Sequence, residues 1–189
     1  DTALRTVAEM FHDLEALGIT LSMVNLGGGF ATRYRSDVPE SEAYGNAILD
    51  SLRRHFGNRI PETIVEPGRS MVGNAGVIES EVVLISTKSA NDNRRWVYLD
   101  IGKFGGLAET MDEAIQYPIV TTRSGATDSV ILAGPTCDSA DVLYEKADYQ
   151  LPLDLAIGDR IRIHAAGAYT TTYASVNFNG FAPLSQYYI

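Results

Sequence analysis

The chain has 189 residues, 45% of them apolar, and a formal charge of −9 from 24 acidic against 15 basic side chains. That suffices for one ordinary domain, or a small domain plus part of another, and the acidity argues against nucleic acid as a partner. Apolar runs such as Val82-Val83-Leu84-Ile85 fall far short of the roughly 20 residues of a membrane helix, so no membrane partner is expected.

No secretory leader is read at the start, and one cysteine among the 189 residues allows no internal disulfide, so a reducing, cytoplasmic setting is expected. Three scattered histidines make no metal-ligand spacing. From the start, Leu4, Val7, Ala8, Phe11, Leu14 and Leu17 share one helical face over residues 2–17, ending at Gly18. Ile19 to Leu26 reads as a short buried strand running into Gly27-Gly28-Gly29. Pro39 opens a second helix with Tyr44, Ala47, Ile48, Leu52 and Phe56 inward, and Thr63 to Glu66 is the next strand. Helix, strand, helix, strand is the order of a parallel α/β layer whose functional groups gather in the loops after the strands.

From about Val77 the pattern turns β-rich. Strands are predicted at Val77 to Ser86, Arg94 to Ile101, Thr127 to Leu132 and Arg160 to His164, with a hairpin loop near Lys88 to Arg95. Asp138 and Asp141 read as solvated loop carboxylates or a helix cap before Val142-Leu143.

Several short runs carry chemistry. Consecutive glycines let backbone N–H groups approach an anion, so Gly27-Gly28-Gly29 suits a phosphate or a plain turn. Glu66-Pro67-Gly68-Arg69-Ser70, also at a strand end, offers a carboxylate for a ring nitrogen and further phosphate donors; the alternative is a surface turn. Gly134-Pro135-Thr136-Cys137-Asp138 sets a thiol beside a carboxylate, and Gly167-Ala168-Tyr169-Thr170 offers a phenol. A lone cysteine is more often an inert buried residue, and Cys137 taken alone reads that way.

In this order, with Asp100 to Gly105 and Phe178-Asn179-Gly180-Phe181 between and after them, these runs resemble the ornithine decarboxylase branch of the alanine-racemase-like, fold type III pyridoxal-phosphate decarboxylases. Leu107 to Glu113 adds a likeness to bacterial ornithine or lysine/ornithine enzymes. The resemblance implies an α/β plus β fold: residues 1–75 as the C-terminal segment of a cofactor-binding (β/α)₈ barrel, and 76–189 as a β-sheet or β-barrel domain.

It further implies pyridoxal 5′-phosphate as cofactor, held by Gly27, Gly28, Gly29, Gly68, Arg69 and Tyr169, with Glu66 on the pyridine nitrogen. Cys137 is implied as proton donor to Cα, and Asp138 and Glu113 as partners of the distal amine of a diamino acid. The implied activity is decarboxylation of ornithine or lysine to a diamine such as putrescine in polyamine biosynthesis, in a homodimer whose sites lie at the subunit interface. Phe104 stands where the family often has tyrosine, and is given no polar role. The family's Schiff-base lysine precedes the triple glycine, and Lys88, Lys103 and Lys146 do not match its setting. The missing N-terminal half of the same protein is therefore an expected partner, and this chain alone is expected to be inactive. A non-catalytic, antizyme-inhibitor-like homologue and a diaminopimelate decarboxylase are the alternatives.

Overall fold

A computed structural model describes all 189 residues, which form two compact units. The first comprises Asp1–Ala31 and Asp37–Met71, the second Thr32–Ser36 and Val72–Ile189.

In the first unit, helix α1 (Thr2–Ala16), strand β1 (Met23–Asn25), helix α2 (Ser41–Phe56) and strand β2 (Glu62–Ile64) follow the predicted order. The two strands pair in parallel, Met23 opposite Glu62 and Asn25 opposite Ile64. Of the predicted Ile19–Leu26 strand, only Met23–Asn25 forms regular strand, flanked by single hydrogen bonds at Ser22 and Leu26. The apolar stripes of α1 and α2 meet where Phe11 sets its ring edge-on to Phe56, 5.3 Å between centroids. The Asp1 carboxylate accepts hydrogen bonds from Ser51 Oγ at 2.7 Å and Arg54 at 2.8 Å, tying the start of α1 to α2. Val24 and Leu52 are the large apolar side chains this unit buries, whereas Ile19, Leu21, Met23, Ile64 and Val65 stay exposed. Two strands cannot close a barrel, and none is closed within residues 1–71.

The second unit is built on a six-stranded mixed sheet. Its strands are β3 (Ile78–Ser86), β4 (Arg95–Leu99), β5 (Ile119–Thr121), β6 (Thr127–Ala133), β7 (Val142–Pro152) and β8 (Arg160–Ile163), in the order β5-β8-β3-β4-β6-β7. Only β4 and β6 run parallel; every other pair is antiparallel. The terminal strands β5 and β7 do not join, so the sheet is open rather than a barrel.

Alternation along the strands sends Val82, Val97, Leu99, Leu132, Leu143, Ile161 and Ile163 to one core, each almost wholly removed from water. On the other face, Trp96, Ile131 and Ala133 form a smaller cluster with Lys88 Nζ 3.4 Å above the Trp96 ring. Tyr144 and Tyr149 stack at 4.2 Å. The Tyr149 hydroxyl donates to Tyr117 O at 2.7 Å, and that of Tyr144 to Ile115 O at 2.8 Å. Burial pushes both phenols above the ordinary tyrosine range, so these hydroxyls keep their protons and act as donors. The Thr32–Ser36 segment joins this cluster: Arg35 lies over the Tyr149 ring at 4.4 Å, and Tyr34 meets Tyr117 edge-on at 5.5 Å.

Two strands escaped the sequence reading. Val142 opens the 11-residue strand β7, not a helix, so the capping role expected of Asp138 and Asp141 is corrected. The short edge strand β5 was not foreseen either.

Candidate active site

The loop after β1 and the loop after β2 lie side by side. Leu26 N donates to Ile64 O at 2.9 Å, and Glu66 N to Gly27 O at 2.8 Å, extending the parallel pairing past both strands. Gly27 (φ +69°) and Gly29 (φ +83°) occupy left-handed backbone, and a Cβ on Gly28 would stand 2.5 Å from the Glu66 carbonyl oxygen. Glycine is therefore required three times in succession. Asn25 orders the corner by accepting from Gly27 N at 2.8 Å and donating from its amide to Glu66 Oε1 at 2.7 Å. The N–H groups of Gly28, Gly29 and Gly68 meet no acceptor within the chain. Arg69 begins the short helix α3 (Arg69–Val72), just after Gly68 in left-handed backbone (φ +55°).

The second unit carries the remaining candidates. Gly134 N donates to Asp141 O at 2.7 Å and Asp141 N to Asp138 O at 3.0 Å, closing residues 134–141 into a compact turn. Cys137 is a free thiol, exposed beside the exposed Asp138, which accepts from Ala140 N at 2.8 Å. Asp141 is only 2% exposed; its role was not recognised in the sequence, and the nearest signal was the pair of glycines, Gly102 and Gly134, that leave room for it.

Next to this turn lies a cavity of about 70 Å³, walled by the Asp100–Gly105 loop, Pro135, Thr136 and the segment around Phe178 to Leu184. Phe104 and Phe178, both in its wall, stack on each other at 4.0 Å. Glu113 is firmly engaged: its carboxylate accepts from the backbone N–H groups of Glu145, Lys146 and Ala147 at 2.8, 2.7 and 2.6 Å. Partial burial opposes its ionisation, but the three donors outweigh that and hold its carboxyl below the usual glutamate range.

Tyr169 stands in left-handed backbone (φ +55°). Gly167 N donates to Gly73 O at 2.8 Å and Ala166 N to Gly76 O at 2.9 Å, which lays this loop on the segment that follows α3. A Cβ on Gly167 would overlap the Val72 carbonyl oxygen. The structure thus brings Gly27–Gly29 and Glu66 together in the first unit, and Cys137 and Asp138 together in the second, which also carries Glu113 and Tyr169.

Residues 10–167 match the family described as pyridoxal-dependent decarboxylase, C-terminal sheet domain. The chain belongs to the pyridoxal-dependent decarboxylases. It is 31% identical over 186 residues to the lysine/ornithine decarboxylase of Selenomonas ruminantium, a match spanning 96% of this chain and 44% of that protein. It is 32% identical over 195 residues to the diaminopimelate decarboxylase of Staphylococcus aureus (strain COL), covering 98% and 44%. Among solved structures, that of SrLDC in complex with PLP and cadaverine superposes with a TM-score of 0.82 at 31% identity, covering 96% of this chain and 46% of that one. The chain therefore spans somewhat under half the length of these relatives, which are pyridoxal-phosphate-dependent amino-acid decarboxylases.

The donor set of the first unit fits this family's cofactor: N–H groups at Gly28, Gly29 and Gly68 without internal acceptors suit a phosphate, and Glu66 Oε1 is steadied by Asn25. No helix is long and apolar enough to cross a membrane.

Proposed function

We propose that this chain is the C-terminal portion of a decarboxylase that removes the α-carboxylate of ornithine or lysine to leave a diamine. In this reading residues 1–75 are the closing segment of a cofactor-binding (β/α)₈ barrel, and 76–189 the sheet domain. The observation that carries the proposal is the match to a lysine/ornithine decarboxylase along 96% of the chain, together with a thiol and a carboxylate displayed side by side on one exposed turn.

Pyridoxal phosphate, when bound, supplies an electron sink for the pair left by departing CO₂. The N–H groups of Gly28, Gly29 and Gly68, with Arg69, Tyr169 and the bend at Gly27, hold its phosphate. Glu66 keeps a proton on its ring nitrogen by a charge-assisted hydrogen bond. The Cys137 thiol delivers a proton to Cα, and the Asp138 carboxylate accepts from the distal ammonium. Glu113 adds a fixed negative charge, its oxygens already committed to the β7 backbone. The lysine that tethers the cofactor belongs, in this reading, to sequence outside these 189 residues, and the working unit is a homodimer with the Cys137 turn serving the partner's site.

The test is CO₂ release from ornithine, lysine and meso-diaminopimelate by this chain joined to the N-terminal portion, with the isolated chain alongside. Turnover of ornithine or lysine by the joined protein and none by the isolated chain is expected. The match to a diaminopimelate decarboxylase favours a second reading. A second carboxylate on that substrate would be repelled by Asp138, so diaminopimelate turning over fastest would replace the first reading with the second.

A further inference from the structure

Asp141 is a buried carboxylate with no cation against it. Every partner it has is a neutral donor: Lys103 N on Oδ1 at 2.7 Å, and Thr136 N and Thr136 Oγ1 on Oδ2 at 3.2 and 2.7 Å. Its own carbonyl closes the turn on Gly134 N. One side chain therefore joins the two loops flanking the cavity, the one that carries Phe104 and the one that carries Cys137. The fit is tight on both sides, because a Cβ on Gly102 or on Gly134 would overlap the carboxylate.

We infer that Asp141 is the positioning residue of the site: it fixes where Cys137 and Asp138 stand by clamping the 134–141 turn to the Asp100–Gly105 loop. This rests on the role proposed above for Cys137 and Asp138, and it deepens that role without placing Asp141 in contact with substrate. A carboxylate is acceptor-only, and here each of its two oxygens faces a backbone N–H; an asparagine would turn its NH₂ against one of those N–H groups. A glutamate keeps the charge but brings a methylene into a space that two glycines leave just wide enough.

Cys137 is the chain's only cysteine, so a nitroxide attached there reports the motion of this turn and of nothing else. The wild-type chain should give the broad spectrum of a restrained label. Asp141→Asn and Asp141→Glu should both narrow the central line, by about twofold as the turn gains nanosecond freedom, while far-UV circular dichroism stays that of the wild type. Failure of glutamate to rescue separates shape and donor matching from mere charge. Where a variant at 141 does not fold, Thr136→Val removes one donor alone and should give a smaller narrowing in the same direction. A wild-type line shape in a folded Asp141→Asn or in Thr136→Val overturns the inference. The label reads only the turn: narrowing in a protein that releases no CO₂ when joined to the N-terminal portion would keep Asp141's role and remove the decarboxylase reading.

Discussion

At Glu113 three backbone donors converge on one carboxylate, and the cost of removing it can be stated. Glu113→Ala leaves those N–H groups without their charged acceptor and should destabilise the second unit by about 1–3 kcal/mol in denaturant melts. The pH dependence follows from the depressed folded-state carboxyl. A group that binds its proton less readily when folded stabilises above its unfolded value and loses that contribution as pH falls through the folded one. Unfolding free energy of the wild type should therefore drop on acidification below about pH 4.5, and Glu113→Gln should flatten that limb relative to wild type. Glycine and proline punctuate the runs around Gly27, Pro67 and Pro135, so these loops are legible from sequence. The burial of Asp141 is not, because its donor Lys103 N lies 38 positions away and a carboxylate in an Asp-Ser-Ala-Asp run looks solvated.

Strands β3, β4, β6 and β8 announce themselves through β-branched and apolar runs, and both long helices through their stripes. Strand β7 does not, since Glu145, Lys146 and Asp148 interrupt its alternation and its pairing with β6 slips register between Val130 and Ala133. Leu143, Tyr149 and Leu151 share one face by plain alternation, and Tyr144, one position out of step, joins the same core where the register with β6 shifts on either side of its pairing with Leu132. Within the core these strands share, Leu132 is wholly buried, and Leu132→Ala should cost about 2–5 kcal/mol, read as an earlier unfolding midpoint. Gly167→Ala tests the loop that carries Tyr169. Its new methyl collides with the Val72 carbonyl, so the Gly167–Gly73 hydrogen bond should be lost and the Gly167 amide should exchange with solvent faster than in the wild type.

For the whole molecule, the proposed dimer makes a quantitative claim. If Glu66 and Cys137 of different subunits serve one site, mixing inactive Glu66→Ala with inactive Cys137→Ala in the joined protein should restore about a quarter of wild-type CO₂ release through statistical subunit exchange. No recovery would place both residues in the same subunit's site or deny the dimer.

The course of the backbone has a practical consequence. Thr32–Ser36 belongs to the second unit, yet the chain on either side of it belongs to the first. A protease nick between Met71 and Val72 would therefore leave Arg35 and Tyr34 still lodged on Tyr149 and Tyr117, the two pieces threaded rather than freed. A sheet domain expressed from Val72 onward would lack this pin and bare its tyrosine stack to water.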